Sequence, residues 1–232
     1  MRRIGMLGGM SWESTAQYYR IANELVRERL GGLHSAPLLI DSVDFAEIEA
    51  MQVEGDWDGA GRLLAGRAAA LEAAGAELLV ICTNTMHKVY DRIAEAVSVP
   101  VLHLADATAA AVRREGLDRV GLLGTAFTME QEFYRDRIAG HGLEVVIPEA
   151  GERAVVHRVI YDELVRGIVR DDSREAYLAI IGRLVERGAH GVILGCTEIE
   201  LLVGQEHVEV PLFPTTRIHV EEMVAQAGAP TL

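Results

Sequence analysis

Cys82 and Cys196 are the only cysteines in a chain of 232 residues, and each closes a short apolar run, ELLVIC at 77–82 and GVILGC at 191–196. Threonine follows both, in Cys82-Thr83-Asn84-Thr85 and in Cys196-Thr197-Glu198. Runs of this length, bounded by turn residues, read as buried strands. A strand that stops at Cys-Thr and turns into a helix leaves its thiol at the strand's carboxyl end, where open α/β sheets bind ligands. The helix dipole and its free N–H groups favour thiolate at that place. A single cysteine in an apolar run ordinarily packs as a small hydrophobe. Two at matching places in two similar units suggest a paired acid/base site.

The neighbouring turns add polar candidates. Gly8, Gly9 and Met10 follow the first apolar run, where backbone N–H groups can receive a carboxylate. The sequence there, IGMLGGM, is not the dinucleotide fingerprint GxGxxG. Asn84, Thr85, Thr125 and Thr197 fall on equivalent turns, where each can hydrogen-bond a small polar ligand or cap a helix. Glu198, two residues past Cys196, either poises that thiol or opens a helix. His87 and His103 could join the cysteines on zinc, but no CxxC or HxxxH spacing supports it, and no metal is expected. Loop and strand-end solvation accounts for His34 and Asp41.

The elements that must hold these residues occur twice. RRIGMLGG at 2–9 matches DRVGLLGT at 118–125, and PLLIDSV at 37–43 matches LEVVIP at 143–148. Cys82 matches Cys196, and Val99-Pro100-Val101 matches Val210-Pro211-Leu212. Helices are expected from Ser11 as cap, over 56–74, 87–97, 152–166 and 173–187, with a helical turn at 45–51 and a Thr128/Gln131 capping box. Strands alternating with helices predict an α/β protein of two pseudo-symmetric αβα units with parallel sheets. The expected lobes are 1–98 with 210–232, and 99–209. A pseudo-two-fold arrangement would let the two cysteines face one cleft.

Composition narrows the partners. Half of the residues are hydrophobic and a quarter charged, as in an ordinary globular protein, and the net charge of −13 argues against nucleic acid. No apolar run approaches the ~18–20 residues that span a bilayer, and the N-terminus lacks a signal-peptide pattern. With two cysteines and no export signal, a reduced cytoplasmic protein is expected.

IGMLGGMSWEST (4–15), CTNT (82–85) and GCTE (195–198) together resemble the aspartate/glutamate racemase superfamily, and the resemblance runs through both halves. LGGLHSA (30–36), SVDF (42–45), CTNTMHK (82–88) and PVLHLADAT (100–108) are most similar to bacterial broad-spectrum amino-acid racemases. The resemblance implies flavodoxin-like halves, an amino-acid substrate, no cofactor and a homodimer. It implies racemisation by Cys82 and Cys196, one on each face of the α-carbon, with Met10, Gln52, Thr83, Asn84, Thr85, Thr125, Thr197 and Glu198 around the substrate. Members strict for acidic substrates carry an arginine after the second strand and a lysine in the second half. Here 43–54 contains no Arg or Lys, with Gln52 the nearest polar candidate, and Val165 stands at the lysine position beside Arg166. Broad or neutral specificity is therefore expected over strict aspartate use. Two other readings share the scaffold: a cysteine-nucleophile isomerase of a small diacid, and a non-catalytic small-molecule binding module.

Overall fold

The apolar runs that end at the cysteines become central strands with neighbours on both sides, which is why they show no polar alternation. In the computed structural model, which describes residues 1–228, the chain opens with β1 (Ile4–Gly8), α1 (Trp12–Leu30), β2 (Leu38–Ser42), α2 (Phe45–Glu54) and α3 (Trp57–Ala73). Next come β3 (Leu78–Ile81), a 3-10 turn (Thr85–Val89) running into α4 (Tyr90–Glu95), and β4 (Val101–Leu102). The second half holds α5 (Leu104–Arg114), β5 (Arg119–Gly124), α6 (Ala126–Glu130), α7 (Glu132–Gly140), β6 (Glu144–Val146) and α8 (Ala150–Asp162). A 3-10 turn (Leu164–Arg166) leads to α9 (Asp171–Glu186), β7 (Val192–Gly195), α10 (Ile199–Leu202), β8 (Leu212–Pro214) and α11 (Thr215–Gln226).

The strands form two four-stranded parallel sheets, ordered β2-β1-β3-β4 and β6-β5-β7-β8. The duplication read from the sequence is thus a repeated strand order, the doubly wound order of flavodoxin-like folds. Cys82 directly follows β3 and Cys196 directly follows β7, the equivalent strand. Among the described residues, the first compact unit comprises Met1–Leu104 and 219–228; the second is Ala105–Ile218. These crossings lie further along the chain than 98/99 and 209/210, because β4 pairs with β3 and β8 with β7. Among the described residues, no helix is long and apolar enough to cross a membrane.

In the first unit the two faces of the sheet carry separate apolar layers. Ile4, Met6, Leu78, Val80 and Cys82 pack with Tyr18, Leu25 and Val26 of α1 and with Val220, Met223 and Val224 of α11. Leu7, Leu79 and Ile81 pack with Ile48 of α2, Leu64 and Leu71 of α3, and Met86. The alternation along β3 places Cys82 on the same face as Leu78 and Val80.

The repeated glycines of β1 and β5 have a packing reason. A Cβ on Gly5 would lie 2.4 Å from Leu79 and 2.9 Å from Ala76, and one on Gly121 would lie 3.0 Å from Leu184. Gly9 is required on two counts, a φ of +90° and Val43 O only 2.2 Å from a would-be Cβ.

Local details depart from the sequence reading. Ser11 caps α1 as expected, its Oγ accepting the Ser14 N–H at 3.3 Å. The capping hydroxyl at α6 belongs to Thr125, which accepts from Thr128 N–H, whereas Gln131 stands at the join of α6 and α7 without a side-chain cap. The helix expected over 87–97 is split into a 3-10 turn and α4, and the one expected over 152–166 ends at Asp162. The short turn after α8 closes on Gly167, whose φ of +70° suits a left-handed cap.

Candidate active site

In the first unit the candidate residues lie at the carboxyl ends of β1, β2 and β3. The chain leaving β1 is held by a relay in which Gly9 N–H donates to Thr15 Oγ1 at 2.8 Å and Thr15 Oγ1 donates to Ser11 O at 2.9 Å. Val43 N–H, just past β2, donates to Gly8 O at 3.1 Å. The Gly9 amide is therefore committed to the turn and is not free to receive a carboxylate. Met10 is buried and packs in the layer with Ile48 and Met86.

β3 makes its last ladder bond through Cys82 itself, whose N–H donates to Leu7 O at 2.9 Å. The thiol is wholly buried, and burial alone pushes its pKa well above the ordinary range. Thr83 is half-buried, while Asn84 and Thr85 are buried, and Asn84 supplies no side-chain cap to the 3-10 turn. Gln52 reaches this region from α2. Its Nε2 donates to Met86 Sδ at 3.1 Å, while its buried Oε1 has no hydrogen-bond partner among the described residues. Sulfur is a weak acceptor, so both ends of this amide are underused in a buried place.

In the second unit the candidate residues lie at the carboxyl ends of β5, β7 and β8. Cys196 is 9% exposed, and its Sγ donates to Glu198 Oε2 at 3.0 Å. Burial raises the thiol's pKa most, with the charge and hydrogen bond of Glu198 adding to it. Glu198 thus contacts the thiol, and it lies in the turn before α10. Thr216 Oγ1, at the start of α11, donates to Thr197 Oγ1 at 2.9 Å, and Thr216 N–H donates to Glu200 Oε1 at 3.3 Å. Burial and the nearby Glu198 raise the Glu200 carboxyl to about 7 despite those bonds. Thr125 is buried as the cap of α6, with its hydroxyl 3.2 Å from that of Thr128.

The helix dipole does not set the thiol pKa values as the sequence suggested. Cys82 is followed by a 3-10 turn and Cys196 by α10, which spans four residues, so neither faces a long helix. Desolvation outweighs the dipole at both, and both thiols hold their protons at neutral pH. Sequence reasoning also passed over Ser14, Thr15, Met86, Thr216 and Glu200. Ser14, Thr15 and Met86 stand inside the motifs at 4–15 and 82–88 without having been singled out there, and the sequence signal of Thr216 and Glu200 is a place within a turn or two of a strand end.

Val165 is half-buried and Arg166 exposed on the 3-10 turn after α8. The turn is anchored by buried Glu163, which accepts the Ser173 hydroxyl at 2.6 Å and whose backbone carbonyl accepts the N–H groups of Arg166 and Ile168.

Two parallel α/β units of one strand order, each ending its central strand in Cys-Thr, define a class of duplicated two-thiol folds. The chain belongs to the Asp/Glu/hydantoin racemase family, which matches residues 7–223. It is similar to a Yersinia pestis protein whose crystal structure names it a candidate Asp/Glu racemase, at 51% identity over 98% of this chain and 99% of that one, with a TM-score of 0.93. PH1733 of Pyrococcus horikoshii OT3, an aspartate racemase homologue, is 37% identical over 98% and 99% of the two chains, with a TM-score of 0.87. The broad specificity amino-acid racemase RacX of Bacillus subtilis (strain 168) is 25% identical over 92% of each chain.

Proposed function

We propose that this protein is a cofactor-independent amino-acid racemase or epimerase that moves the α-proton with Cys82 and Cys196, and that it favours neutral side chains over aspartate. The observation that carries the reading is the bond from the Cys196 thiol to Glu198. A two-base reaction needs one thiolate and one thiol, and burial keeps both as thiols in the free protein. Glu198 is placed to accept the Cys196 proton, and the substrate's ammonium group adds the positive charge that favours thiolate. The Cys196 thiolate then removes the α-proton, the C–H electron pair passes into an enediolate, and the Cys82 thiol returns a proton to the other face. The Cys82 thiolate left behind regains a proton as Glu198 releases its own, through solvent, once product departs. For the opposite enantiomer the roles reverse. The enediolate needs hydrogen-bond donors, and the candidates are the hydroxyl and amide groups of Thr85, Asn84, Thr125 and Thr197.

Support for neutral substrates comes from residues 43–54 and the turn at 164–166. Gln52 is the buried polar group there, and its amide meets a carboxylate or a neutral donor without a full charge. The half-buried Val165 offers no charge at all. A desolvated side-chain carboxylate without a cation is costly, so aspartate gains little here.

The deciding experiment is α-proton exchange in D₂O, followed by NMR across a panel of L- and D-amino acids. Exchange into neutral polar and thioether substrates, with racemisation seen on a chiral column, is the expected result. Ligand binding with exchange at background would overturn the enzymatic reading in favour of a binding module.

A further inference from the structure

Once the chain leaves β3 its carbonyls lose their ladder partners, and two side chains take them over. Ser14 Oγ donates to Cys82 O at 2.9 Å, and His87 Nδ1 donates to Thr83 O at 2.8 Å. His87 lies four residues beyond Thr83, so its ring folds back over the turn that carries the thiol. Its second nitrogen, Nε2, accepts the N–H of Leu104 at 3.1 Å, the first residue of α5. Only the neutral ring with its proton on Nδ1 satisfies both bonds, because an imidazolium has no acceptor.

The ring is buried in a block of other rings. Its centroid lies 4.6 Å from that of His103, 5.9 Å from that of His219, and 6.3 Å from that of Tyr90, which it parallels within 9°. Tyr90 in turn donates its hydroxyl to Val101 O at 2.8 Å, tying the block to β4. The strand end, the start of α5 and β4 thus meet on one imidazole.

We propose that His87 is a positioning residue for Cys82: it holds the Thr83 carbonyl, and with it the Cys82–Asn84 turn, in the orientation that presents the thiol to the substrate α-carbon. Proton transfer from carbon depends on near-attack geometry, where a displacement of about 1 Å costs about a hundredfold in rate. The kinetic side of this inference rests on the racemase reading above; the effect on the thiol itself does not.

Two substitutions separate the ring's bonds. An asparagine places its amide where Nδ1 was, and a glutamine places its amide where Nε2 was. His87→Asn keeps a donor for Thr83 O, so its kcat on L-homoserine should stay within about threefold of the parent. His87→Gln keeps the Leu104 bond and loses the Thr83 bond, so kcat should fall about tenfold or more with KM within about twofold. In a Cys196→Ser background, the rate of Cys82 alkylation by iodoacetamide should shift at least about threefold in the glutamine variant and little in the asparagine variant. The parent's ¹⁵N NMR spectrum should show His87 protonated on Nδ1. Equal effects of the two variants, the reverse order, or an Nε2-protonated ring would each overturn the proposal. If the parent exchanges no amino-acid α-proton, the racemase reading falls alone, and the alkylation order and the tautomer still decide the role of His87.

Discussion

Cys82 and Cys196 end equivalent central strands, yet neutral groups surround the first and carboxylates the second. Around Cys82 the ordering groups are Ser14 and His87, which hold backbone carbonyls, and among the described residues no carboxylate bonds the thiol. Around Cys196, Glu198 takes the S–H directly and Glu200 sits one helical step further on. The duplication kept the backbone and let the electrostatics diverge. A symmetric pair would have two thiols of one proton affinity and no preference for which gives up its proton. Setting the surroundings apart is how paired acid and base roles arise from like groups.

The sharpest way to break the comparison is to remove each sulfur. Cys82→Ser and Cys196→Ser should each lower racemisation by about a thousandfold or more, because a hydroxyl is far less acidic than a thiol. Each variant should still exchange the α-proton of the one enantiomer that its remaining thiol can approach. Chiral chromatography gives the first quantity and NMR in D₂O the second. Full racemase activity in either variant would end the two-base assignment.

A smaller effect is expected from the carboxylate that distinguishes the two thiols. Glu198→Gln should lower kcat about a hundredfold, since the amide cannot take a proton from Cys196. The same change should lower the Cys196 pKa, because the Glu198 charge and hydrogen bond both raise it, although burial remains the larger cause. In a Cys82→Ser background, alkylation of Cys196 at pH 8 should therefore become faster. Cys82 alkylation in a Cys196→Ser background should not respond to the same change. A response of equal size at both cysteines would show that Glu198 acts on the fold and not on its neighbour.

Stability should separate the units by pH. The Glu200 carboxyl is raised to about 7 in the folded protein, so its protonated form favours folding. That contribution is fully present below its unfolded value near 4.5 and is lost as pH rises through about 7. Its size is on the order of 2 kcal/mol, about thirtyfold in the folding equilibrium. His219 in the first unit runs the other way. Burial, the largest cause, depresses it to about 3, so its contribution is present above about 6.5 and is lost as pH falls toward 3. Denaturant midpoints at pH 5 and pH 8 should lose the Glu200 part of their difference in Glu200→Gln. An undiminished difference would mean that another group titrates.

The alternation of strands and helices, the duplication and the strand-end place of both cysteines were legible because each rests on local pattern. Glycine turns, Val-Pro strand starts and apolar runs need only a few neighbouring residues to be read. What stayed hidden depends on contacts between distant residues. Ser14 meets Cys82 across 68 positions, and no spacing rule joins Thr216 to Thr197 or Glu200. The thiol pKa values were misjudged for the same reason: a helix dipole can be read from sequence, but the depth of burial that outweighs it cannot. The glycine turn was legible as a turn, but nothing in its sequence shows that the Thr15 hydroxyl, one helical turn into α1, takes up the Gly9 amide.

The smallest expected effect concerns substrate choice, and it separates the first half-site from the second. Gln52 is buried, with Oε1 unpartnered among the described residues and Nε2 on a sulfur, so at this position the first unit carries an amide and no charge. In the second unit the nearest cation by sequence is Arg166, which is exposed on its turn. Neither position 52 nor position 166 then offers a buried cation to a side-chain carboxylate, and kcat/KM for homoserine or methionine should equal or exceed that for aspartate. Gln52→Arg should shift the ratio toward aspartate by about tenfold, which corresponds to about 1.4 kcal/mol of transition-state discrimination. The long guanidinium must displace the contact with Met86, so some loss of total rate is expected along with the shift. Arg166→Ala supplies the control: it should leave the aspartate ratio within about twofold of the parent. A strong aspartate preference in the parent that vanishes in Arg166→Ala would place the cationic partner in the second unit and remove Gln52 from the account of specificity.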